Sequence, residues 1–326
     1  MIVLTDADVG ALLTPQMAYD AVSAVMRRVS AGGAQLPLRH AVPVGGANLM
    51  GVMSGALDEP ACYGAKLLSL FPGNPARGLS GHRGALVLFE PDTGAPVAMM
   101  DAGRLTALRT AAASAVATDA LARADAARLV LIGAGEQAEH HLDAVARIRP
   151  VRSVHVVGRR ADQAAEFARR AAQRQPGLTL SHGTDAVAAV KGADIICTVT
   201  SSAEPVLLGA WLEPGQHLNI VGASVPSKRE IDAGVLTRAR VYCDWRPSFE
   251  AQAGEVAALQ REGGAVSDLL RGEIGAVLAG VVAGRQTPQD ITLYRSLGIM
   301  AQDLAVGWLV WKAACQAGTG QTTRFP

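Results

Sequence analysis

The sequence predicts an α/β fold in which a doubly wound parallel sheet is joined to a second, α+β domain. Between about residues 119 and 297, short aliphatic runs alternate with Ala-rich helical stretches, as in RLVLIGAG, EQAEHHLDAVARI and SVHVVGRR. This alternation is typical of strands and crossover helices in one parallel sheet. The preceding part differs, because the strand pair GALVLFE and APVAMMD is separated only by the turn PDTG. A content of 49% hydrophobic and 18% charged residues fits a globular enzyme.

This change in the sequence pattern divides the chain into three segments. We expect residues 1–112 to form the α+β domain, with an opening helix and antiparallel strands. Residues 113–298 form the doubly wound domain. Residues 299–326 contain the apolar-faced stretch SLGIMAQDLAVGWLVWKAACQA, which predicts a long helix that packs on the first domain or on another subunit.

Charge and cysteine spacing exclude several classes of protein. A formal net charge of +1 predicts no general attraction to nucleic acid or to an anionic membrane. The apolar runs are too short for a membrane span, and we expect neither a signal peptide nor a span. The cysteines are far apart, which argues against zinc ribbons and disulfide scaffolds and favours the cytoplasm. They are Cys62, Cys197, Cys243 and Cys315.

The histidines show no metal-ligand spacing, so no metal site is predicted. His82, in GLSGHRGAL, is kept as a candidate for a substrate pocket, with an ordinary loop histidine as the alternative.

A glycine motif directly follows the strand that ends at Ile132. It reads G-x-G-x-x-A from Gly133 to Ala138 and opens a helix. In Rossmann-type dinucleotide sites such glycines allow a tight turn and a close approach of the pyrophosphate. The alternative is a tight turn that binds nothing. The predicted cofactor contacts in this motif are Gly133, Ala134, Gly135, Glu136 and Gln137.

The second strand of this domain indicates which dinucleotide is bound. An NAD site usually has an acid at its end, where it binds the ribose 2′-hydroxyl, but here the strand ends in Gly158, Arg159 and Arg160. Two cations at a helix start are disfavoured by the helix dipole. A 2′-phosphate would supply the counter-charge, so NADPH is favoured over NADH, which stays possible. Two solvated arginines are the alternative.

The first domain is short of acids near its cations. Between Ala21 and Phe89 the only acids are Asp58 and Glu59. Lys66 and Arg109 lie in apolar or small-residue surroundings, where a buried cation needs an anion. A carboxylate substrate would provide one, with Arg for bidentate capture and Lys for proton transfer. A salt bridge to a distant acid, or exposure of the charged ends to solvent, is the alternative.

Several stretches resemble the ornithine cyclodeaminase/mu-crystallin family over nearly the whole chain. They are GAKLLSLFPGNPARGL, LVLFEPDTGAPVAMMDAGRLTALRTAAASAVA, LIGAGEQA, WLEPGQHLNIVGAS and ITLYRSLGIMAQDLA. The resemblance implies a homodimer whose first domain supplies the dimer sheet and the substrate pocket, with a returning C-terminal helix. Members of the family include ornithine and lysine cyclodeaminases, an archaeal type of alanine dehydrogenase, and reductases of ketimines and cyclic imino acids.

The resemblance also implies roles for individual residues. Arg39 and Arg109 match the carboxylate-binding arginines of the family, and Lys66 matches its active-site lysine, which holds the carboxylate or relays a proton. Further contacts nearer the nicotinamide are implied for Thr198, Val199, Thr200 and Gly222.

Ser224, after the strand LNIVGAS, distinguishes among the activities of the family. In the cyclodeaminases and the alanine dehydrogenase an aspartate follows this strand as acid/base. A serine hydroxyl without a paired histidine is a poor base. Reduction of a preformed imine needs only one protonation of the nitrogen and one hydride. Ser224 could orient a water or the imine nitrogen for this reaction. Ser227 and Glu230 fit a capping box, so Ser227 rather than Ser224 is expected to start a helix.

The sequence therefore predicts an NADPH-dependent reductase of α-imino acids. The favoured substrates are cyclic, such as Δ1-pyrroline-2-carboxylate or Δ1-piperideine-2-carboxylate, giving proline or pipecolate. In this picture Arg39, Lys66 and Arg109 fix the carboxylate so that the C=N carbon lies against the nicotinamide. The alternatives are a cyclodeaminase or amino-acid dehydrogenase, and a mu-crystallin-like protein that binds NADPH and a carboxylate without turnover.

Overall fold

The computed structural model describes residues 1–266 and 268–324, so residue 267 of the predicted second segment and residues 325–326 of the third lie outside the described residues. The chain divides into two compact units. The terminal unit consists of Met1–Arg109 and Ile299–Pro326, and the central unit is Thr110–Gly298. The first division falls three residues before the predicted boundary at 112, inside a helix.

The terminal unit contains an eight-stranded sheet and helices from both ends of its sequence. The elements up to residue 121 are β1 (Ile2–Leu4), α1 (Asp6–Leu12), α2 (Pro15–Ser30), β2 (Ala34–Gln35), β3 (His40–Gly45), β4 (Asn48–Asp58), β5 (Ala61–Leu70), β6 (His82–Phe89), β7 (Pro96–Asp101) and α3 (Ala102–Leu121).

The remaining elements begin after α3. They are β8 (Arg128–Ile132), α4 (Glu136–Ile148), β9 (Ser153–Val157), α5 (Ala161–Arg174), β10 (Thr179–Gly183), α6 (Ala186–Val190), β11 (Ile195–Thr198), β12 (His217–Ile220), α7 (Ala233–Arg238), β13 (Arg240–Cys243), α8 (Arg246–Gln252), α9 (Gly254–Arg261), β14 (Leu270–Glu273), α10 (Ile274–Leu278), β15 (Thr292–Arg295), α11 (Met300–Ala317) and β16 (Gln321–Thr322).

Strands β4 to β7 form an antiparallel meander, with Lys66 of β5 opposite Met53 on one side and Leu86 on the other. Alternate residues of β5 point to opposite faces, and the face of Cys62, Gly64 and Lys66 is buried. Helix α11 covers this face. A Cβ at Gly64 would lie 3.2 Å from the Leu304 side chain and 2.3 Å from the carbonyl oxygen of Val87. Glycine at this position therefore permits the close approach of helix and sheet that buries Lys66.

The central unit is the predicted doubly wound sheet, and this prediction is confirmed. Its strand order is β10-β9-β8-β11-β12-β15-β13-β14, and its strand pairs are parallel. The inner strands β11, β12 and β15 are buried over their full length, as expected for a sheet covered on both faces. Separate buried clusters lie on the two faces, one around Ile196 and Leu218 and one around Leu131 and Phe167. None of the described helices has the length and apolarity needed to cross a membrane.

Candidate active site

Two turns of the central unit contact each other at the carboxyl ends of β8 and β11. The winding of the sheet reverses between these two strands, and open α/β sheets bind ligands at such a switch point. Gly133, directly after β8, has a φ of 121°. A Cβ at this residue would lie 2.8 Å from the carbonyl oxygen of Val199, directly after β11. Both the backbone angle and the contact therefore require glycine at position 133.

Helix α4 begins at this turn without a side-chain cap. Gly135 is its N-cap in extended conformation, and no side chain accepts from the first N–H groups. Uncapped N–H groups at the positive end of a helix dipole form an anion-binding site. Ala138 is fully buried beneath the turn, where the motif requires a small residue. The Oε1 atom of Gln137 is buried and accepts no hydrogen bond from the described residues, so a ligand hydroxyl could donate to it. These residues fit a dinucleotide.

The two arginines after β9 differ in their surroundings. Arg160, the N-cap of α5, donates from Nε to Oδ1 of Asp162 at 3.0 Å, so the expectation that it lacks a protein anion was wrong. The side chain of Arg159 is exposed and forms no ion pair with the described residues. Only Arg159 therefore keeps the free charge that the sequence argument assigned to both residues.

Glu230 joins the ends of β11 and β12. Its carboxylate is fully buried and accepts from Thr198 Oγ1 at 2.8 Å and from both the N–H and the hydroxyl of Thr200 at 2.7 Å. The N–H of Gly222 donates to it at 2.5 Å. A carboxylate with this many donors fixes the two turns relative to each other. The predicted capping box at Ser227 was wrong, because no helix begins there and Glu230 binds these turns instead.

Ser224 follows β12 in a segment that is held by its backbone. Ala223 is buried, and its carbonyl oxygen accepts from Arg295 Nη2 at 2.5 Å. Arg295 is itself fully buried and paired with Glu255. The hydroxyl of Ser224 is half-buried and makes no hydrogen bond to the described residues. It is therefore available to a ligand or water, whereas the backbone beside it is fixed.

Lys66 of the terminal unit has a counter-ion that the sequence argument missed. Its Nζ lies 2.6 Å from Oδ2 of Asp303 on α11, and both side chains are fully buried. A weaker contact of 3.4 Å joins Nζ to the hydroxyl of Thr106. The expected local shortage of acids is real, but α11 brings an acid from 237 residues later in the chain.

Arg109 binds the same carboxylate. Its Nε lies 3.0 Å from Oδ1 of Asp303, and its Nη1 donates to Oε1 of Gln302 at 2.9 Å. Lys66 and Arg109 are thus brought together by one aspartate, each on its own oxygen. The signal that could have identified Asp303 is its position, because it is the only acid in a mainly apolar helix sequence from Met300 to Ala317.

The pKa values of both Lys66 and Asp303 lie below their ordinary values, for different reasons. Burial, together with the charges of Arg109 and Arg39, lowers the pKa of Lys66 to about 7 against the attraction of Asp303. Burial acts to raise the pKa of Asp303, but Arg109 and Lys66 hold it below its usual value. Arg39 is therefore near enough to act on Lys66. The lysine gains or loses its proton near neutral pH, a property typical of functional sites.

His82 lies apart from this cluster. It is exposed at the start of β6, four residues before Leu86, which pairs with Lys66. Four residues of strand correspond to about 13 Å. The structure thus brings Lys66, Arg109 and Arg39 together but does not bring His82 to them.

Known proteins resemble this chain over most of its length. The model of the ornithine cyclodeaminase/mu-crystallin family matches residues 1–318. The ketimine reductase mu-crystallin of Rattus norvegicus is 33% identical over 284 residues, covering 86% of this chain and 85% of the relative.

Two solved structures are similar as well. The Δ1-pyrroline-2-carboxylate reductase of Thermococcus litoralis, solved with NADH and L-proline, superposes with a TM-score of 0.95 at 29% identity, covering 99% of this chain and 100% of that one. An archaeal alanine dehydrogenase dimer with bound NAD has a TM-score of 0.93 at 30% identity, covering 100% and 99%. These relatives confirm the prediction of a nicotinamide-dependent oxidoreductase acting on C=N or CH–NH bonds, and the chain belongs to the ornithine cyclodeaminase/mu-crystallin family.

Proposed function

We propose that the protein is an NADPH-dependent reductase of α-imino acids, with cyclic substrates such as Δ1-pyrroline-2-carboxylate or Δ1-piperideine-2-carboxylate and proline or pipecolate as products. The observation that carries the proposal is the charge of the cluster in the terminal unit. Lys66 and Arg109 share one buried carboxylate, that of Asp303. When Lys66 is protonated, one positive charge of these three groups is left over, which a substrate carboxylate would balance.

The residues present suit reduction of an imine. Bound NADPH would supply the hydride that adds to the C=N carbon. Arg109 and Arg39 bind the substrate carboxylate and orient the imine, and Lys66 or a bound water gives a proton to the nitrogen. Ser224 offers a free hydroxyl to water or to the nitrogen, whereas an aspartate in this place would serve deamination. The serine therefore supports reduction over oxidative deamination.

Arg159 supports the choice of NADPH. It is an exposed cation without an ion pair among the described residues, at the place where a dinucleotide of this fold carries its adenosine ribose, and β9 is followed by Gly158 and two arginines instead of the acid that binds a 2′-hydroxyl. The reductase from Thermococcus litoralis was solved with NADH, so NADH is the second cofactor to test.

An amino-acid dehydrogenase is the second candidate, favoured by the similarity to the archaeal alanine dehydrogenase over the whole chain. In that case the protein would oxidise a primary amine, and a residue other than Ser224 would serve as the base. A cyclodeaminase, and a binding protein without turnover, are the further alternatives.

A substrate panel tests the proposal. Purified protein is mixed with NADPH or NADH and with cyclic and linear imino acids, and the nicotinamide absorbance is followed. We expect rapid oxidation of NADPH with a cyclic imino acid. Ammonia release from ornithine with catalytic NAD, without net nicotinamide reduction, would contradict the proposal. Measurable NADPH binding with no turnover of any substrate would favour a binding protein.

Two arginines on α3 form a matched pair for this assay. Arg109 belongs to the buried cluster, whereas Arg104 is exposed and pairs with Asp6 on the surface. We expect Arg109→Gln to raise the KM for the imino acid about tenfold or more, since a charge-assisted contact contributes about 1.5–3 kcal/mol. The same change at Arg104 should leave the KM within about twofold. Equal effects of the two changes would argue against a carboxylate site at Arg109.

We also infer a homodimer through the sheet of the terminal unit. The face of this sheet opposite α11 exposes large apolar side chains, among them Val42 at 48%, Tyr63 at 36%, Leu67 at 41% and Met99 at 37%. The strand register puts Leu67 beside Val52, and Met99 beside Val87, on this same face. An apolar sheet face of this kind is typical of an interface between subunits.

Analytical ultracentrifugation tests the dimer. We expect the wild-type protein to sediment as a dimer. Leu67→Arg should raise the dissociation constant of the dimer more than tenfold, because a charge would be buried without a partner in the interface. Val281→Arg is the control, since Val281 is an exposed apolar residue of the central unit. A monomeric wild-type protein would refute the inference.

A further inference from the structure

Helix α11 carries two polar residues on a face that is otherwise apolar. Gln302 and Asp303 are fully buried, together with Leu304 and Val306. A buried carboxylate is costly unless it is paired and hydrogen-bonded. Both oxygens of Asp303 are used, one by Lys66 and one by Arg109. Its neighbour Gln302 accepts from Arg109 and donates toward the sulfur of Met26. The helix thus presents acceptors where α3 and β5 present cations.

The elements packed against α11 contain no second buried acid among the described residues that could pair with Lys66. Helix α11 packs on α1, α2 and β4 to β7. Their ionisable groups are exposed or half-buried except for Lys66 and Cys62, and burial raises the pKa of the Cys62 thiol to about 12, which keeps it neutral. The exposed and half-buried groups are Asp6, Asp8, Tyr19, Asp20, Arg27, Arg28, Asp58, Tyr63, His82, Arg83 and Asp101.

Three charged residues therefore act on Lys66. Arg109 and Arg39 repel its ammonium group, burial disfavours it, and Asp303 alone attracts it. Removal of the aspartate would leave a fully buried ammonium group under the influence of two guanidinium groups. Such a group loses its proton rather than staying charged. Arg109 would stay charged in either case, because a guanidinium keeps its proton under all ordinary conditions.

We propose that Asp303 is the positioning residue of the substrate site: its two carboxylate oxygens set the separation of Lys66 and Arg109 and favour the cationic form of Lys66, which binds a carboxylate. The substrate in this role rests on the proposed function, whereas the contacts of Asp303 with Lys66 and Arg109 do not depend on it. Asp303 touches neither substrate nor cofactor in the proposal and acts only through the two cations.

Direct titration of the lysine tests this role without turnover. The chain has four lysines, Lys66, Lys191, Lys228 and Lys312, so the side-chain NMR signals can be assigned, with Lys66→Arg identifying the signal of Lys66. We expect the midpoint of Lys66 to fall by at least 1 pH unit in Asp303→Asn and to recover in part in Asp303→Glu. Asp6→Asn, which breaks an exposed ion pair in the same unit, should not move it. An unchanged midpoint in Asp303→Asn would overturn the proposal.

Kinetics then separate positioning from a purely structural effect. In Asp303→Asn we expect the alkaline decline of kcat/KM to move to lower pH and the KM to rise about tenfold at pH 7, with NADPH affinity within twofold. In a Lys66→Arg background the same change should no longer move the pH profile, because arginine stays charged. A uniform loss of kcat with an unmoved profile would contradict the role.

Two results keep this inference separate from the proposed reaction. If Asp303→Asn does not fold, Asp303→Ser, which also removes the charge, carries the test, and a Lys66 midpoint equal to that of the wild type together with an unchanged KM would count against the role. If the wild-type protein reduces no imino acid while the Lys66 midpoint still depends on Asp303, the proposed function fails and the positioning role stands.

Discussion

Gly133 faces the carbonyl oxygen of Val199 so closely that a Cβ on the glycine would lie 2.8 Å from it. Gly133 directly follows β8, and Val199 directly follows β11, its neighbour across the switch point. Their contact leaves no room for a side chain at the place where the proposed dinucleotide would approach the backbone. Gly135, two residues on, has open space around it and a negative φ.

The first prediction compares these two glycines. Gly133→Ala should destabilise the protein by about 2 kcal/mol, because its φ of 121° and the Val199 contact both oppose a side chain. Gly135→Ala should leave the melting temperature nearly unchanged while weakening NADPH binding about tenfold, since the methyl group would occupy the place of the pyrophosphate. Thermal unfolding and NADPH titration check both. Unaltered NADPH affinity in Gly135→Ala would count against a dinucleotide at this turn.

The second prediction concerns the choice of cofactor. Arg159→Glu should raise the KM for NADPH about tenfold or more and leave that for NADH within about threefold, because only NADPH carries the phosphate that a free guanidinium would bind. Arg160→Glu is the matched control, since Arg160 is already engaged by Asp162, and its effect should be several times smaller. Steady-state kinetics with both cofactors measure the ratio. Equal changes for NADPH and NADH would mean that Arg159 does not read the phosphate.

The third prediction concerns Ser224. If its hydroxyl only orients water, Ser224→Ala should keep kcat/KM for imine reduction within about fivefold of the wild type. Ser224→Asp need not create a cyclodeaminase, because the new carboxylate would also need a positioned amine. A loss in Ser224→Ala as severe as that in Lys66→Ala would instead make the hydroxyl a direct participant in proton transfer.

The fourth prediction is a pH dependence of stability. His141 on α4 is fully buried between the hydroxyl of Ser114 and the carbonyl oxygen of Gln137, at 2.9 Å and 2.7 Å. Burial lowers its pKa from 6.5 to about 4. The folded state therefore binds fewer protons than the unfolded state in this window, and stability is lost as the pH falls from about 6.5 to 4, by about 3 kcal/mol.

Melting temperatures between pH 7 and 4 measure this dependence. His141→Gln should be less stable at pH 7 but should lose less stability on acidification than the wild type. His182→Gln, at an exposed histidine of the same unit, should follow the wild-type curve. An acid dependence of His141→Gln as steep as that of the wild type would exclude His141 as its source.

The sequence predicted those features that depend on neighbouring residues. The Ala-rich stretch EQAEHHLDAVARI predicted α4 with its ends at the observed residues, because the helical period is a local pattern. The turn at Gly133 was equally readable, since a steric requirement for glycine is visible wherever glycine stands between a strand and a helix.

Contacts across long stretches of sequence could not be predicted in the same way. Asp303 reaches Lys66 only because α11 folds back onto β5, and no local pattern contains that information. A local pattern can also mislead. Ser227 and Glu230 fitted a capping box, but the carboxylate of Glu230 binds the turns after β11 and β12. Arg160 was misread for a simpler reason, since its partner Asp162 stands two residues away within the helix that follows.

The strand order of the terminal unit has a consequence for how the protein is made. Strand β1 pairs with β7 and with β16, and α11 covers the meander, so the two ends of the chain meet in one unit. During synthesis on a ribosome, Lys66 is complete long before Asp303 has left the exit tunnel. Until then the apolar face under α11 stays open and the lysine has no counter-ion. A chain cut short before residue 299 could therefore not complete this unit.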